Sequence, residues 1–180
     1  MVGPSGFVVW LTGPPAAGKS TIARRLACAW VGRGLRAEVL DGDEVRAAFG
    51  GDLGFSREDR DANVTRVGDA AARLARTGAC VAVAMVSPYR AARDAQRSRI
   101  ARFCEVHCAA PIEVLVRRDP KGLYRRALAG ELLNLTGVND PYEPPLAPEV
   151  TVRTDREPPD ACAGAILAAL EDLRYLALVR

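Results

Sequence analysis

The sequence has little net charge, no long uncharged apolar run and only one histidine, and these shortages limit what it can encode. Its 25 Lys and Arg residues nearly balance 22 Asp and Glu, so the formal charge of +3 gives no compositional reason to expect nucleic-acid binding. No stretch approaches the roughly 18 apolar residues of a transmembrane helix, so no membrane association is expected. The N-terminus lacks the basic segment that precedes the apolar run of a signal peptide. We therefore expect a cytoplasmic protein.

Five cysteines stand at positions 28, 80, 104, 108 and 162. An odd number with scattered spacing does not describe a disulfide framework, which agrees with a reducing compartment. The run CEVHC could suggest a metal site around His107. However, FCEVHC has the composition of a strand, in which Cys104 and Cys108 lie on one face and His107 on the other. We therefore expect no metal site there.

The stretch WLTGPPAAGKST, residues 10–21, contains the pattern G-x-x-x-x-G-K-[ST] at Gly13, Gly18, Lys19 and Ser20. A strand-like run precedes it and a helical pattern follows, which is the context that a phosphate-binding loop requires. Backbone N–H groups of such a loop and the N-terminus of the helix attract phosphate oxygens. Lys19 is expected to reach the β- and γ-phosphates of ATP, and the Ser20 hydroxyl to bind Mg²⁺. The residues expected to contact ATP are Gly13, Pro14, Pro15, Ala16, Ala17, Gly18, Lys19, Ser20 and Thr21.

Apolar, strand-like runs alternate with helical patterns along all 180 residues, which predicts one α/β domain. The strands are expected at residues 7–12, 36–41, 79–85, 103–108 and 149–154. This alternation favours a five-stranded, mainly parallel sheet with helices on both faces. Ser56 and Asp59 form a capping-box pattern at the start of one helix. Residues 119–147, with four prolines, are too long for an ordinary connection and are predicted to form a lid over a site.

Ligands bind beyond the carboxyl ends of the strands in an open parallel sheet. Asp41 ends the second expected strand, Asp43 follows it, and Ser87 follows the third. Phosphoryl transfer needs charge neutralisation and a group that orients or deprotonates the acceptor hydroxyl. Asp43, expected on a turn at this edge, suits that second role. The other interpretation of Asp-Gly-Asp is a simple turn.

The sequence resembles the adenylylsulfate kinases from about Val8 to Asp155. The motifs that carry the resemblance are LDGDEVR, DLGFSREDRDANVTRVG, VSPYRAARD and RDPKGLYRRALAGELLNLTGVNDPYEPP. The resemblance implies a P-loop fold, a homodimer, and transfer of a phosphoryl group from ATP to the 3′-hydroxyl of adenosine 5′-phosphosulfate, with Mg²⁺.

The resemblance also implies roles for individual residues. Asp43 matches an aspartate near the acceptor hydroxyl, and Lys121 a lid lysine near the phosphates. Ser87 matches a serine often described as a phosphoserine intermediate, but direct in-line transfer needs no such intermediate, so Ser87 is expected to line the acceptor site. The catalytic set is Lys19, Asp43, Ser87 and Lys121. The acceptor-binding set is Asp41, Arg46, Phe55, Arg60, Asn63, Ser87, Lys121 and Leu135. From the residues alone, a solvated helix face is the favoured interpretation of Arg60 and Asn63, because long charged residues are mostly exposed.

Three positions depart from the family pattern. Ala16 stands where the family has glycine, and would strain the loop if that position needs a positive φ. Glu44 adds a negative charge beside Asp43. Leu135 replaces an aromatic residue that contacts the acceptor adenine, which costs ring stacking worth roughly 1 kcal/mol.

Three alternatives remain. Leu135 and Glu44 could mark a kinase for another nucleotide or a small anionic acceptor. A regulatory GTPase should carry a guanine-reading N-K-x-D stretch, which is absent from the sequence. A degenerate kinase acting as an interaction module has only Ala16 in its favour.

Overall fold

A computed structural model describes residues 6–48 and 52–177. Its centre is a sheet of five strands, all parallel, in the order β2-β3-β1-β4-β5. The strands are β1 (Phe7–Thr12), β2 (Ala37–Asp41), β3 (Cys80–Ala84), β4 (Phe103–Ala109) and β5 (Val150–Arg153). Every strand expected from the sequence is therefore confirmed, to within one residue at each end.

Seven α-helices lie within the described ranges. They are α1 (Lys19–Gly32), α2 (Gly42–Ala48), α3 (Arg57–Arg76), α4 (Arg90–Arg99), α5 (Ile112–Arg118), α6 (Leu123–Leu128) and α7 (Pro159–Asp172). The capping box is confirmed, because the Ser56 hydroxyl accepts a hydrogen bond of 3.1 Å from the Asp59 backbone N–H. The turn expected around Asp43 is wrong, since this residue lies in the first turn of α2. The reason is local: the carboxylate of Asp41 accepts the Asp43 backbone N–H at 3.0 Å and so starts the helix.

Two apolar cores cover the two faces of the sheet. On one face, Val9 and Leu11 of β1 pack in a cluster with side chains of α1 and α7. On the other face, Val8 and Trp10 pack with side chains of α3. Successive side chains of one strand point to opposite faces of the sheet, so each strand contributes to both cores. This is why the strands are apolar throughout.

The CEVHC run lies within β4, as its strand pattern predicts. Cys104 and Cys108 are buried in the α1 and α7 core, while His107 stacks on Tyr142 with ring centroids 6.1 Å apart. Burial and then the charge of Arg93 lower the pKa of His107. No group of three or more His, Cys, Asp or Glu side chains that could hold a metal lies in the described ranges. Within the same ranges, no helix is long and apolar enough to cross a membrane.

Candidate active site

A cavity of about 890 Å³ opens at the carboxyl edge of the sheet, at the upper end of the usual range for small-molecule sites. The phosphate loop, α2, the first part of α3, the loop after β3 and the segment 119–147, which the sequence predicts to be a lid, all contribute to its wall. The sequence-predicted residues that line it are Pro15, Ala16, Gly18, Lys19, Ser20, Thr21, Asp41, Asp43, Arg46, Phe55, Arg60, Asn63, Ser87, Lys121 and Leu135. Gly13, Pro14 and Ala17 lie outside this lining.

The phosphate loop holds its lysine against its own backbone. Lys19 Nζ donates to the carbonyl oxygens of Gly13 and Pro14, each at 2.8 Å, and the residue is buried. Burial lowers the pKa of Lys19 from 10.5 to about 8, and the carboxylates of Asp43 and Asp41 partly oppose the change. Gly13 must be a glycine, because a Cβ atom there would lie 2.6 Å from a backbone oxygen of β4. The loop thus keeps a cationic group where phosphate oxygens are expected.

Ala16 stands where the family has glycine, and its backbone does adopt a positive φ. Its φ is 62°, in the left-handed region where a residue with a Cβ atom is strained. The position therefore favours glycine, and this chain carries alanine in spite of that preference.

Ser20 and Asp41 form a pair of oxygen ligands at the start of α1. The Ser20 hydroxyl donates to the carboxylate of Asp41 at 2.5 Å, and Asp41 is buried. One or two carboxylates and a hydroxyl, completed by phosphate oxygens, are the donor set that Mg²⁺ prefers. The residues therefore fit the ion, with Asp41 added to the Ser20 ligand expected from the sequence.

Asp43 and Lys121 meet across the mouth of the cavity. Lys121 Nζ lies 2.5 Å from a carboxylate oxygen of Asp43, and both side chains are largely exposed. The hydrogen bond to Asp43 raises the pKa of Lys121. The pair joins the lid to α2 and brings two residues of the expected catalytic set into contact.

The ring of Phe55 lies close to two arginines. The guanidinium carbon of Arg46 lies 4.9 Å from the ring centroid and that of Arg60 lies 5.7 Å from it. Phe55 is 55% exposed, so part of its side chain is accessible to a planar ligand. Arg46 also donates to the carbonyls of Leu53 and Gly54 and so shapes the loop that carries Phe55.

Asn63 is a buried polar side chain whose Oδ1 has no hydrogen-bond partner in the described part of the chain, although the residue lines the cavity. An unpaired buried amide oxygen is costly unless a ligand donates to it. This observation favours a binding role over the solvated helix face that the sequence left open.

Leu135 lies in the lid and is only 5% exposed, packed against the core that contains α1. It lines the cavity, so this part of the wall is apolar although it has no aromatic ring. Glu44, in contrast, points to the surface, where it pairs with Arg24 at 3.4 Å.

Sequence reasoning missed several residues of the wall. Tyr124 is fully buried and donates from its hydroxyl to the carbonyl of Pro15 at 2.9 Å, which fixes α6 to the phosphate loop. Arg118 donates to the carbonyl of Thr154 at 2.5 Å, beside the loop. Thr154 directly follows β5, so the rule that sites lie at the carboxyl ends of strands could have identified it.

A phosphate loop, a hydroxyl and a carboxylate whose chemistry fits Mg²⁺, and an acidic residue facing a lysine of the segment 119–147 define a P-loop kinase. The family model for adenylylsulphate kinase matches residues 5–153. The chain belongs to the adenylylsulphate kinase family.

Individual relatives agree with this assignment. A probable bifunctional SAT/APS kinase of Sorangium cellulosum is 53% identical over 96% of this chain, which spans only 30% of that relative. An adenylyl-sulfate kinase of Chloroflexus aurantiacus is 50% identical, covering 94% of this chain and 91% of its own length. The structure of Mycobacterium tuberculosis APS kinase CysC with AMPPNP and APS superposes with a TM-score of 0.89 and 39% identity, over 93% of this chain and 99% of that one.

Proposed function

We propose that the protein transfers the γ-phosphoryl group of ATP to the 3′-hydroxyl of adenosine 5′-phosphosulfate, giving 3′-phosphoadenylylsulfate. The observation that carries the proposal is a single cavity containing both a phosphate loop and an aromatic platform. Lys19 and Asp43 line the same cavity as Phe55, whose ring is flanked by Arg46 and Arg60. A planar base with an anionic 5′ group is the ligand that such a platform fits.

Different residues of the cavity would bind ATP, Mg²⁺ and the acceptor. Lys19 neutralises charge on the β- and γ-phosphates, and the loop N–H groups hold the same oxygens. Ser20 and Asp41 would hold Mg²⁺, which when bound neutralises negative charge that develops on the phosphate oxygens. Arg46, with its fork of N–H donors, suits the phosphosulfate of the acceptor.

Asp43 orients the 3′-hydroxyl and accepts its proton as the new P–O bond forms and the bond to ADP breaks. Lys121, which contacts Asp43, would stabilise the negative charge of the transferred phosphoryl group. Ser87 needs no covalent role, because its hydroxyl is buried and accepts a hydrogen bond of 3.0 Å from the Trp10 indole.

A second candidate is a kinase of the same class with a different acceptor. Leu135 favours it, because a leucine gives no ring stacking to an adenine. Leu135 is nevertheless held in the cavity wall, where it offers an apolar surface to an adenine. Adenylylsulfate therefore remains the acceptor that we propose first.

The test is phosphoryl transfer from Mg-ATP to a panel of acceptors, followed by mass spectrometry. The panel contains adenylylsulfate, AMP and other nucleotides with 5′ anions. We expect a product one phosphoryl group heavier than adenylylsulfate, with AMP unchanged. Transfer to another acceptor alone would establish the second candidate, and no transfer by folded, ATP-bound protein would contradict both.

The cytoplasmic location and the homodimer inferred from the sequence stay predictions. Analytical ultracentrifugation decides the second, since one chain has a mass of 19.2 kDa and a dimer twice that.

A further inference from the structure

Arg93, in α4, is a buried arginine that has no place in the cavity wall. It is 1% exposed. Its three nitrogen atoms each donate at 2.7 Å: Nε to Glu105, one Nη to the carbonyl of Ser87, and the other to the carbonyl of Glu143. One side chain therefore joins β4, the loop after β3 and the C-terminal end of the lid.

The loop that Arg93 holds has an uncommon backbone. Ser87 has a φ of 39°, in the left-handed region, and lines the cavity. Its hydroxyl accepts from the indole of Trp10, and the preceding carbonyl, of Val86, accepts from the Thr12 hydroxyl at 2.7 Å. A non-glycine residue keeps such a conformation only where its surroundings fix it, and such residues cluster at functional sites.

The end of the lid is tied to the same loop. The Glu143 backbone N–H donates to the carbonyl of Pro88 at 2.9 Å, and its carboxylate accepts the Arg90 N–H at 2.8 Å. Tyr142 lies 3.1 Å from the Thr12 hydroxyl. Because that hydroxyl donates its hydrogen to Val86, Tyr142 must be the donor to Thr12. Residues 142–143 thus form a fixed root for the lid, which we call the lid root.

We propose that Arg93 is a positioning residue for the acceptor side of the site. It holds the Ser87 loop and the lid root in one arrangement, so that Ser87 keeps its strained conformation in the cavity wall. This inference rests on the proposed kinase function, because the acceptor is the substrate that this wall would contact. Arg93 itself touches neither substrate.

The chemistry of arginine explains why this residue type is needed. Its guanidinium presents five N–H donors in a rigid fork and so reaches a carboxylate and two carbonyls at once. A lysine keeps the charge beside Glu105 but cannot span both carbonyls. Arg97 also donates to Glu105, at 3.1 Å, so that carboxylate keeps one partner when Arg93 is replaced.

The experiment compares Arg93→Lys and Arg93→Met with the matched control Arg97→Lys. The control alters the second partner of Glu105 without touching Ser87 or the lid root. We expect both Arg93 variants to raise the KM for adenylylsulfate roughly tenfold or more, while the dissociation constant of ATP changes less than about twofold. Arg97→Lys should change neither constant more than about twofold.

A spectroscopic readout separates positioning from simple loss of stability. The sequence has two tryptophans. The Trp10 indole N–H donates to Ser87, whereas the Trp30 indole nitrogen has no partner within the described residues. In NMR spectra of ¹⁵N-labelled protein, Arg93→Lys should shift the Trp10 indole signal, leave that of Trp30 in place, and exceed any shift caused by Arg97→Lys.

The inference is overturned if the Arg93 variants melt earlier but leave the Trp10 signal and the acceptor KM unchanged. If Arg93→Met does not fold, Arg93→Lys decides the matter, because it keeps the buried charge pair. If the wild-type protein does not phosphorylate adenylylsulfate, the proposed function is wrong. The indole signals would still show whether Arg93 holds the Ser87 loop.

Discussion

At the scale of single residues, burial lowers the pKa of Lys19, the lysine of the phosphate loop. Removal from water disfavours its charged form, and the nearby carboxylates recover only part of that cost. Its folded pKa of about 8 lies below the value of 10.5 expected in an unfolded chain. The folded state therefore binds fewer protons than the unfolded state between these two values, and Lys19 makes stability rise with pH there.

ATP binding should be coupled to proton uptake by Lys19. Phosphate oxygens beside Nζ favour the ammonium form, so its pKa rises when ATP binds. By linkage, we expect uptake of about half a proton per ATP at pH 8 and much less at pH 7. Calorimetry in buffers of different ionisation enthalpy measures this quantity.

The control is Lys121→Met, because the pKa of Lys121 is raised and this group is already protonated. Proton uptake on ATP binding should therefore persist in the Lys121→Met variant. Lys19 and Lys121 are the only lysines in the sequence, so NMR of the two ammonium groups can assign the proton. Equal uptake at pH 7 and pH 8 would contradict the assignment to Lys19.

Ala16→Gly should stabilise the protein. Glycine adopts a φ of 62° without the steric cost of a Cβ atom, which exceeds the entropy that glycine gains in the unfolded chain. We expect a gain of about 1 kcal/mol and a melting temperature higher by about 2–4 °C. The neighbouring Ala17→Gly is the opposite control, since it removes a buried methyl group and should lower the melting temperature.

Asp43→Asn should remove turnover while ATP still binds. The amide keeps the shape of the carboxylate but cannot accept the proton of the acceptor hydroxyl. We expect kcat to fall between about 10² and 10⁴-fold, with the dissociation constant of ATP nearly unchanged. Glu44→Gln changes an exposed acid on the same helix and should alter kcat less than about twofold. A near-normal kcat for Asp43→Asn would remove Asp43 from its role.

At the scale of elements, Arg60 connects α3 to the lid. It donates to the carbonyls of Phe55 at 3.0 Å and Asn134 at 2.7 Å, and to Thr136 and Asp140 at 2.9 Å each. Its side chain is 11% exposed. A residue expected to bind the acceptor thus also holds the lid in place.

Arg60→Lys should loosen the lid. A lysine ammonium cannot reach acceptors on both the Phe55 loop and the lid at once. We expect hydrogen exchange of residues 134–140 to become about tenfold faster, as local opening becomes easier. Arg66→Lys, on the same helix, alters a pair with Asp52 that is remote from the lid. If both variants exchange alike over 134–140, Arg60 does not hold the lid.

At the scale of the whole molecule, a buried ionic network joins α4 to the sheet. Glu105 of β4 is 4% exposed and lies between Arg93 and Arg97. Arg97 also pairs with Glu149, whose carboxylate accepts the Glu105 backbone N–H at 2.6 Å. The network therefore links α4, β4 and the residue that precedes β5.

Glu105→Gln should destabilise the fold through this network. The amide carries no charge, so Arg93 would remain buried without a carboxylate partner. We expect a loss of about 3 kcal/mol in the free energy of unfolding, measured by urea denaturation. The control is Glu38→Gln, which alters an exposed pair with Arg36 and should cost less than about 1 kcal/mol. Equal losses in both variants would contradict the argument.

Much of the architecture was predictable because it depends on local pattern. Apolar runs of strand length identified all five strands, and the Ser56 capping box marked the start of α3. The helix α2 was missed because its start depends on a hydrogen bond from Asp43 N–H back to Asp41, in a stretch that also fits a turn. The helix α5 was missed because seven residues show too little periodicity to separate them from a strand.

The sequence by itself determined the phosphate loop, the parallel sheet and, through long motifs, 15 of the residues that line the cavity. The phosphate loop, each strand and each motif are contiguous in the chain, so residue type and spacing are enough to recognise them. Only the tertiary structure decided that Asp41 meets Ser20, that Lys121 meets Asp43, that Ala16 is strained, and that Arg93 joins the Ser87 loop to the lid root. The physical reason is distance along the chain: such contacts join residues up to 78 positions apart, and only the folded backbone brings them within a hydrogen bond.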